Sequence, residues 1–366
     1  MPEGENLIIE LSERLFRDLA DPQTVNAATD NRWRDELWAA LEETELTRAW
    51  VGEAQGGAGA GGEDIVALAH LCGRFALSVP LVETLLAGHL LSRAGLALPP
   101  GAATIAPATL KGAATYSETK GLAGFVGVVP FLGAASWLVI VAGDDDGRNV
   151  VCLVPASAVT FDPQTSLGGD AQAKLQFDGV RPEAVGVLPT AAPPGTLILA
   201  GAALRAGQMA GALEALVEIT TAYAGERIAF GRPIAKFQSI QHALARLAGE
   251  AAAAATAAKA CAWTLEPGDN PDETPILPVA AAKIRVGEAA AVGAGIAHQT
   301  LGAMGFTGEH ILHRFTHRLW TWRDDFGSEA EWALRLGREM LARGVDDYWP
   351  ALVNHAEPLV VESAAP

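Results

Sequence analysis

Apolar residues recur every three or four positions through much of the first hundred residues, and this spacing predicts a series of amphipathic helices. The stretches Asn6–Ala20, Asp30–Thr47, Asp64–Leu77 and Leu81–Ala94 all follow this period. A Gly-rich loop separates the second from the third. The pattern therefore predicts an N-terminal helical domain over residues 1–100.

The following residues favour strands, because their apolar positions alternate and Pro, Gly and Asp interrupt them. Two apolar runs, Ser136–Ala142 and Asn149–Val154, flank a Gly- and Asp-rich turn, which is typical of a β-hairpin. Ala173–Phe177 alternates in the manner of a half-buried strand. We expect a small β domain over residues 101–190, closed by the Pro-rich joint Pro189–Pro194.

The helical period then returns over residues 191–345, and a tail follows over 346–366. The predicted helices are Leu197–Ala224, Ser239–Trp263, Pro278–Gly302 and Glu329–Leu341. Long helices with short connections indicate a bundle. The predicted fold class is α+β, with an N-terminal helical domain, a central β domain and a C-terminal four-helix bundle.

Charge, cysteine spacing and apolar run length exclude several kinds of binding partner and location for this protein. The net charge of −17 argues against nucleic acid, because binding phosphates needs a basic surface. The three cysteines, Cys72, Cys152 and Cys261, show no metal-binding or disulfide spacing, which fits a reducing compartment. We find no signal-peptide pattern and no apolar run of the roughly 18 to 20 residues that span a bilayer. We therefore expect a cytoplasmic protein without a membrane span.

Two segments of the last third carry a family resemblance. Tyr223–Gln238 contains Arg227, then Phe230-Gly231, and it ends in a Phe-Gln pair. Gln299–Glu309 reads Gln-Thr-Leu-Gly-Ala-Met-Gly-Phe-Thr-Gly-Glu. Both segments, their separation and the helical–β–helical order resemble the acyl-CoA dehydrogenase family, and the likeness covers nearly the whole chain.

The resemblance implies FAD as cofactor and an acyl-CoA as substrate. It implies that FAD contacts come from residues matching the two motifs: Arg227, Phe230, Gly231, Gln238, Gln299, Gly302 and Gly305. The planar guanidinium of an arginine suits phosphate oxygens, and glycine lets backbone N–H groups approach a pyrophosphate. A salt bridge of Arg227 with Glu226, and helix termination at the two glycines, are the structural alternatives.

The family's reaction is an α,β-dehydrogenation in which a carboxylate removes the proton from Cα. The family's glutamate occupies one of two positions, which in this chain hold Gly201 and Phe326. Asp325, one residue away, is the candidate base, with Asp324 next to it. The alternative is that both aspartates are solvated loop charges paired with Arg323.

A third candidate base and two segments of the β domain also bear on how this chain would serve the flavin reaction. Glu309 is a third candidate base, although a glutamate there is common in the family and expected to be structural. The family's Thr-Glu-Pro segment has no equivalent, and Tyr116–Thr119 is the nearest match. Where the family carries Trp-Ile-Thr, this chain has Val128–Pro130, without a hydroxyl for flavin N5. We therefore doubt that this β domain contacts the flavin ring.

These departures resemble the reduced subunit of hetero-oligomeric acyl-CoA dehydrogenases that act on bulky, steroid-type CoA thioesters. We accordingly expect an oligomer, homo- or hetero-, in a dimer-of-dimers arrangement with another acyl-CoA dehydrogenase subunit, and an electron-transfer acceptor. The chain is either catalytic within that assembly or a structural subunit that completes the FAD pocket of a partner. An oxidase that passes electrons to oxygen is a further alternative.

Polar and aromatic groups outside the motifs have less specific interpretations. The expectation is that no metal is bound, since HExxH is absent and arginines flank the nearest cluster, His310, His313 and His317. A polar face at the flavin or the subunit interface is the favoured interpretation of these histidines. Trp320, Trp322 and Trp332 are core or interface residues, or a substrate wall. Arg205 and Arg246 meet a CoA phosphate or lie in solvent.

Overall fold

The computed structural model describes residues 7–106, 114–188, 195–265, 276–344, 346 and 349–350. The predicted Pro189–Pro194 joint and nearly all of the 346–366 tail lie outside the described residues.

The first part of the chain is helical, as predicted. Its helices are α1 (Leu7–Leu19), α2 (Pro22–Ala27), α3 (Arg32–Glu43), α4 (Gly62–Arg74) and α5 (Leu81–Arg93). α5 is buried on nearly every side, although it carries the charged residue Glu83. Because a buried carboxylate needs a partner, this residue marks an internal polar contact.

The central part is a single sheet of eight strands within the described residues. The strands are β1 (Ala103–Ile105), β2 (Ala114–Ser117), β3 (Gly121–Pro130), β4 (Trp137–Gly143), β5 (Asn149–Pro155), β6 (Asp162–Thr165), β7 (Ala171–Val180) and β8 (Ala184–Val187). The order is β6-β7-β3-β2-β4-β5-β8, with β1 paired to β4. The predicted hairpin is confirmed, with β4 and β5 antiparallel from Trp137 opposite Pro155 to Gly143 opposite Asn149.

The last part is a helical bundle with a small hairpin. Its elements are α6 (Gly195–Glu226), β9 (Ile228–Ala229), β10 (Arg232–Pro233), α7 (Gln238–Cys261), α8 (Ile276–Leu301), α9 (Leu312–Asp324) and α10 (Glu329–Arg343). The four predicted helices are confirmed. α9 is additional, because its histidines and arginines obscure an apolar face made by Leu312, Phe315, Leu319 and Trp322. The predicted fold class is therefore confirmed.

Helix α6 connects the N-terminal helices to the bundle through close glycine contacts. A Cβ on Gly73 of α4 would stand 1.7 Å from the carbonyl oxygen of Gln208 on α6. A Cβ on Gly211 of α6 would stand 1.8 Å from the carbonyl oxygen of His70 on α4. Only glycine permits backbones to approach this closely, so these positions set the crossing of the two helices.

Crossing a lipid bilayer requires a helix that is both long and apolar. None of the described helices combines the two properties.

Candidate active site

A cleft lies between the sheet and the bundle. Among the residues that line it are Val128, Pro130, Asp170, Arg205, Trp322 and Asp325. It leaves about 320 Å³ of empty space, part of which is open to solvent. Its lining combines apolar side chains with the charged groups of Asp170, Arg205 and Asp325, so a ligand there would meet both kinds of surface.

Arg205 is the central charge of this cleft, although it is only 1% exposed. Its Nη2 lies 2.6 Å from Oε1 of Glu83 and 3.0 Å from Oδ2 of Asp325. Its Nη1 donates to the side-chain oxygen of Gln208. Burial alone would lower the pKa of Arg205, but Glu83 and Asp325 together outweigh it and raise that pKa. A charged guanidinium is therefore held between two carboxylates.

Aromatic rings complete the surroundings of Arg205. Its guanidinium carbon lies 5.9 Å from the ring centroid of Trp322 and 5.7 Å from that of Phe326, within cation–π range. The solvated alternative for Arg205 is wrong, because its side chain is only 2% exposed and pairs with two carboxylates. A contact between Arg205 and a CoA phosphate stays a prediction. Arg246 lies exposed on α7.

Asp325 lines the cleft, as a base acting there must. Its side chain is 28% exposed and forms an ion pair with Arg205. The alternative that both aspartates pair with Arg323 is wrong for Asp325, since Arg323 forms its ion pair with Glu329. Asp324 is exposed at the end of α9 and does not line the cleft.

The two positions where the family's base is expected touch one another. A Cβ on Gly201 would stand 2.2 Å from Cδ1 of Phe326, so the phenyl ring occupies the space that a side chain at 201 needs. Phe326 is 8% exposed and has a φ of 55°, a strained value for a non-glycine residue. The indole N–H of Trp332 donates to the carbonyl oxygen of Phe326 at 2.9 Å. An apolar ring thus fills the base position.

Lys283 fixes the segment that carries these residues. Its Nζ donates to the carbonyl oxygens of Arg323 at 2.6 Å and of Trp322 at 3.3 Å. Burial lowers the pKa of Lys283 to about 8. The loop then ends at a capping box, in which Ser328 and Glu331 exchange hydrogen bonds and begin α10. The segment between α9 and α10 is consequently clamped at both ends.

Sequence reasoning missed Glu83 and Lys283. The available signal was a single charge inside an apolar run, Leu81–Leu91 for Glu83 and Ile276–Ile284 for Lys283. Such a charge indicates burial with a partner, because an isolated buried charge is costly. It does not identify the partner.

The sheet contributes Val128 and Pro130 to the cleft. The carbonyl oxygen of Pro130 accepts a hydrogen bond from the hydroxyl of Thr104 at 2.5 Å. The side chains at 128–130 provide no hydroxyl donor toward the cleft. This part of the wall would therefore contact a ligand through apolar side chains.

The predicted FAD residues of the first motif lie together at the far end of α6. Arg227 directly follows α6 and precedes the β9–β10 hairpin, whose tip is Phe230-Gly231 with φ values of 52° and 79°. Phe230 is 95% exposed. Gln238 begins α7 and is exposed, as is Arg227. No ion pair joins Arg227 to Glu226 among the described residues.

The second motif lies at the adjoining end of α8. Gln299 is exposed, Gly305 is buried, and Gly302 has a φ of 60° with open space around its Cα. The hydroxyl of Tyr223 donates to the carbonyl oxygen of Leu301 at 3.3 Å, which joins the two motifs. None of the seven predicted FAD residues lines the cleft.

These residues fit the pyrophosphate and adenosine end of FAD. Arg227 and Gln238 present unhindered donors, and Gly302 leaves its backbone accessible. Their exposure also means that one chain does not enclose them. The arrangement fits an open part of a cofactor site.

The histidines and tryptophans after the second motif form a ladder of rings. His298 stacks on Phe306 at 4.5 Å and on Trp320 at 5.6 Å, and Trp320 adjoins His317 at 5.8 Å. The described residues contain no cluster of side chains suited to holding a metal ion. Glu309 is exposed before α9, outside the cleft lining.

The fold is an acyl-CoA dehydrogenase architecture. Residues 196–323 match the family model "Acyl-CoA dehydrogenase, C-terminal domain". The chain is similar in architecture to the ChsE4–ChsE5 complex from Mycobacterium tuberculosis (TM-score 0.80, 22% identity, 94% of this chain and 98% of that one). It is likewise similar to the Tcur3481–Tcur3483 steroid ACAD (TM-score 0.78, 24% identity, 93% and 98%).

Sequence relatives agree with this architecture. The chain is 26% identical to the acyl-CoA dehydrogenase IpdE2 of Mycobacterium tuberculosis over 321 residues, which cover 87% of this chain and 91% of the relative. It is 29% identical to the acyl-CoA dehydrogenase FadE34 of the same organism, with 83% of this chain but only 42% of the relative covered. The family model, the sequence relatives and the solved structures therefore agree that this chain resembles acyl-CoA dehydrogenases.

Proposed function

We propose that this chain is one subunit of a hetero-oligomeric, FAD-dependent acyl-CoA dehydrogenase, and that a second family member supplies the catalytic carboxylate. The contact between Phe326 and Gly201 carries the proposal. A base must reach the Cα proton of the thioester, and here a phenyl ring fills one base position and blocks the other. Bound FAD would supply the hydride acceptor for Cβ, and the carboxylate of the second chain would take the proton from Cα.

The exposed motif end indicates how the chain serves such an assembly. Arg227 and Gln238 would hold the phosphates and the adenosine, and Gln299 and Gly302 would contribute side-chain and backbone groups. Phe230 and Phe306, 95% and 74% exposed, flank this site and would be covered by the second chain. The same contact would then enclose the cofactor and bury the apolar surface.

Two observations on relatives support a bulky acyl group and a different partner chain. ChsE4 and ChsE5 form a complex, and Tcur3481–Tcur3483 is a steroid ACAD. We extend both properties to this chain: a steroid-derived CoA ester as substrate and a second acyl-CoA dehydrogenase chain as partner. Reduced flavin would pass its electrons to an electron-transfer acceptor in the cytoplasm.

The second candidate is that this chain itself is catalytic through Asp325. It is favoured by the position of Asp325 on the cleft wall with a 28% exposed side chain. Against it, one carboxylate oxygen is engaged by Arg205 at 3.0 Å. The same carboxylate therefore already serves as a partner of the buried Arg205.

Flavin content and turnover separate the two candidates. The complex would be purified from the native host through a tag on this chain, and the chain would also be expressed alone. Our proposal expects the flavin absorbance bands and dehydrogenation of a steroid-derived CoA ester in the complex, and neither in the lone chain. Full flavin occupancy with turnover by the lone chain would overturn it.

Substitution of Asp325 within the complex provides the second test. Asp325→Asn keeps the shape of the side chain, and Asp324→Asn is the matched control outside the cleft. We expect turnover to remain within about threefold for both variants, since a base contributes roughly 10²–10⁴-fold. A loss of that size in Asp325→Asn alone, with flavin retained, would assign catalysis to this chain.

A further inference from the structure

Three arginines meet around one aspartate behind the wall of the cleft. Arg318 of α9 donates to Oδ1 of Asp170 at 2.8 Å, and Ser78 donates to the same oxygen. Arg34 of α3 donates to the hydroxyl of Ser78 at 2.9 Å. Arg314, one turn before Arg318, completes the group through its carbonyl oxygen, which accepts from Arg318 at 3.0 Å. We call Arg34, Arg314 and Arg318 the arginine cluster.

The fold builds this cluster from three separate regions. Asp170 lies in the turn between β6 and β7, which is closed by a hydrogen bond from the N–H of Ser166 to the carbonyl oxygen of Asp170 at 2.8 Å. A Cβ on Gly168 in the same turn would stand 2.9 Å from Cγ of Arg318. Glycine there lets the turn lie directly on α9. Asp170 therefore faces the arginine cluster on one side and the cleft on the other.

The charges of the cluster are not balanced. Within the described residues, no carboxylate lies within ion-pair distance of Arg34 or Arg314. Asp170 contacts Arg318 directly and acts on Arg34 and Arg314 only from beyond ion-pair distance, as Asp35 does on Arg34. Burial and the neighbouring arginines lower the pKa of Arg314 to about 10. A protein rarely gathers this much positive charge without a counter-ion.

Three buried hydrogen-bond donors without a partner also favour a bound counter-ion. The Nε atoms of Arg34, Arg314 and Arg318 are all buried without a partner. The side chain of Arg318 is only 2% exposed. Unpaired buried donors are uncommon in folded proteins, because a bound ion or an ordered water normally satisfies groups that the chain itself does not. Three such donors, all on positively charged side chains of the arginine cluster, favour a bound anion.

We infer that the arginine cluster binds an oxyanion, with Arg34 and Arg314 as its principal ligands and Arg318 fixed behind them by Asp170. The ligand is a phosphate or carboxylate group, because the planar fork of guanidinium donors matches two oxygens of such a group. Its source is either the free anion or a phosphate of a CoA-containing molecule. The inference rests on this cluster alone and stands or falls separately from the proposed function.

The test compares anions at constant ionic strength. Purified chain would be titrated with inorganic phosphate, with succinate and with CoA, against chloride, by calorimetry and by thermal unfolding. Arg314→Gln removes one ligand that has no ion pair to lose, and Arg338→Gln on α10 is the exposed control. We expect at least one anion to bind and stabilise the wild-type chain and the control, with affinity reduced about tenfold or more in Arg314→Gln.

Each outcome of the titrations either assigns the source of the anion or overturns the inference. Tighter binding of CoA than of inorganic phosphate, lost in Arg314→Gln, assigns the site to a CoA phosphate, while equal or weaker binding of CoA assigns it to the free anion. Equal responses of the wild-type chain and Arg314→Gln, or no response of the wild-type chain to any of the three anions, overturn the inference. Because flavin and turnover are not measured, failure here leaves the proposed function untouched.

Discussion

The phenyl ring of Phe326 lies against the Cα of Gly201, with Cδ1 2.2 Å from the place where a Cβ would stand. These residues come from α6 and from the loop after α9, 125 positions apart along the chain. Each stands where the family resemblance leads us to expect a glutamate. The two departures from the family pattern are therefore one structural change, in which glycine makes room for the ring.

Enlarging Gly201 should therefore destabilise the fold. Gly201→Ala forces the ring or the helix to move, at a cost of about 1–3 kcal/mol in the free energy of unfolding. Gly249→Ala in α7 is the control, because nothing lies within 4 Å of its added Cβ. We expect the control to be stabilised by roughly 0.5–1 kcal/mol, since alanine favours the helix. Chemical denaturation at fixed protein concentration measures both.

The coupling of the two positions can be checked with a smaller side chain in place of the ring. In Gly201→Ala/Phe326→Leu the loss of unfolding free energy should be smaller than the sum of the single losses, because leucine vacates part of the clashing space. Additive losses would show that the two side chains do not compete for the same space.

Breaking the buried ion pair of Glu83 and Arg205 should destabilise the fold. Glu83→Ala leaves Arg205 buried with Asp325 as its remaining carboxylate, and should lower the free energy of unfolding by about 3–5 kcal/mol. Glu83→Ala/Arg205→Met removes both charges and should regain a large part of that loss. Urea denaturation gives both values. A double variant no more stable than Glu83→Ala would contradict the ion-pair explanation.

The sequence predicts most of the fold, but it does not predict the network of Glu83, Arg205 and Asp325. The β4–β5 hairpin follows from alternation around a Gly- and Asp-rich turn, and α6 follows from its period, because both signals are local. Glu83, Arg205 and Asp325 lie on three distant segments, and no local pattern connects them. A lone charge in an apolar run indicates a buried partner, but only the packing of α5 against α6 and the loop after α9 identifies it.

Lys283 should make stability depend on alkaline pH. Its folded pKa is about 8, below the usual 10.5, because burial disfavours the charged amine. Between these values the unfolded chain binds more protons than the folded chain, so stability rises with pH across the window and levels off above it. The difference in unfolding free energy between wild type and Lys283→Met should grow by at most roughly 3 kcal/mol from pH 8 to pH 10.5.

Taking the difference from Lys283→Met removes the effect of groups present in both proteins, including the three buried thiols. Lys283 holds the carbonyl oxygens of Trp322 and Arg323, so Lys283→Met should also be less stable at every pH. A difference that stays constant from pH 7 to pH 11 would show that the amine titrates at its ordinary pKa.

Phe230 at the tip of the β9–β10 hairpin should matter for assembly and not for folding. At 95% exposure its ring contributes little to the fold of one chain, so Phe230→Ser should change the unfolding free energy of the isolated chain by less than about 0.5 kcal/mol. In the complex, an aromatic residue buried at an interface contributes about 2 kcal/mol or more, roughly thirtyfold in Kd. Sedimentation velocity over a concentration series measures that loss, and flavin absorbance should fall with it, because the same contact encloses the cofactor.

Leu7→Ser, at a 73% exposed position of α1, is the control expected to leave both assembly and flavin absorbance unchanged. If Phe230→Ser leaves assembly and flavin content intact, the second chain does not cover the hairpin, and the FAD site must be completed from another face.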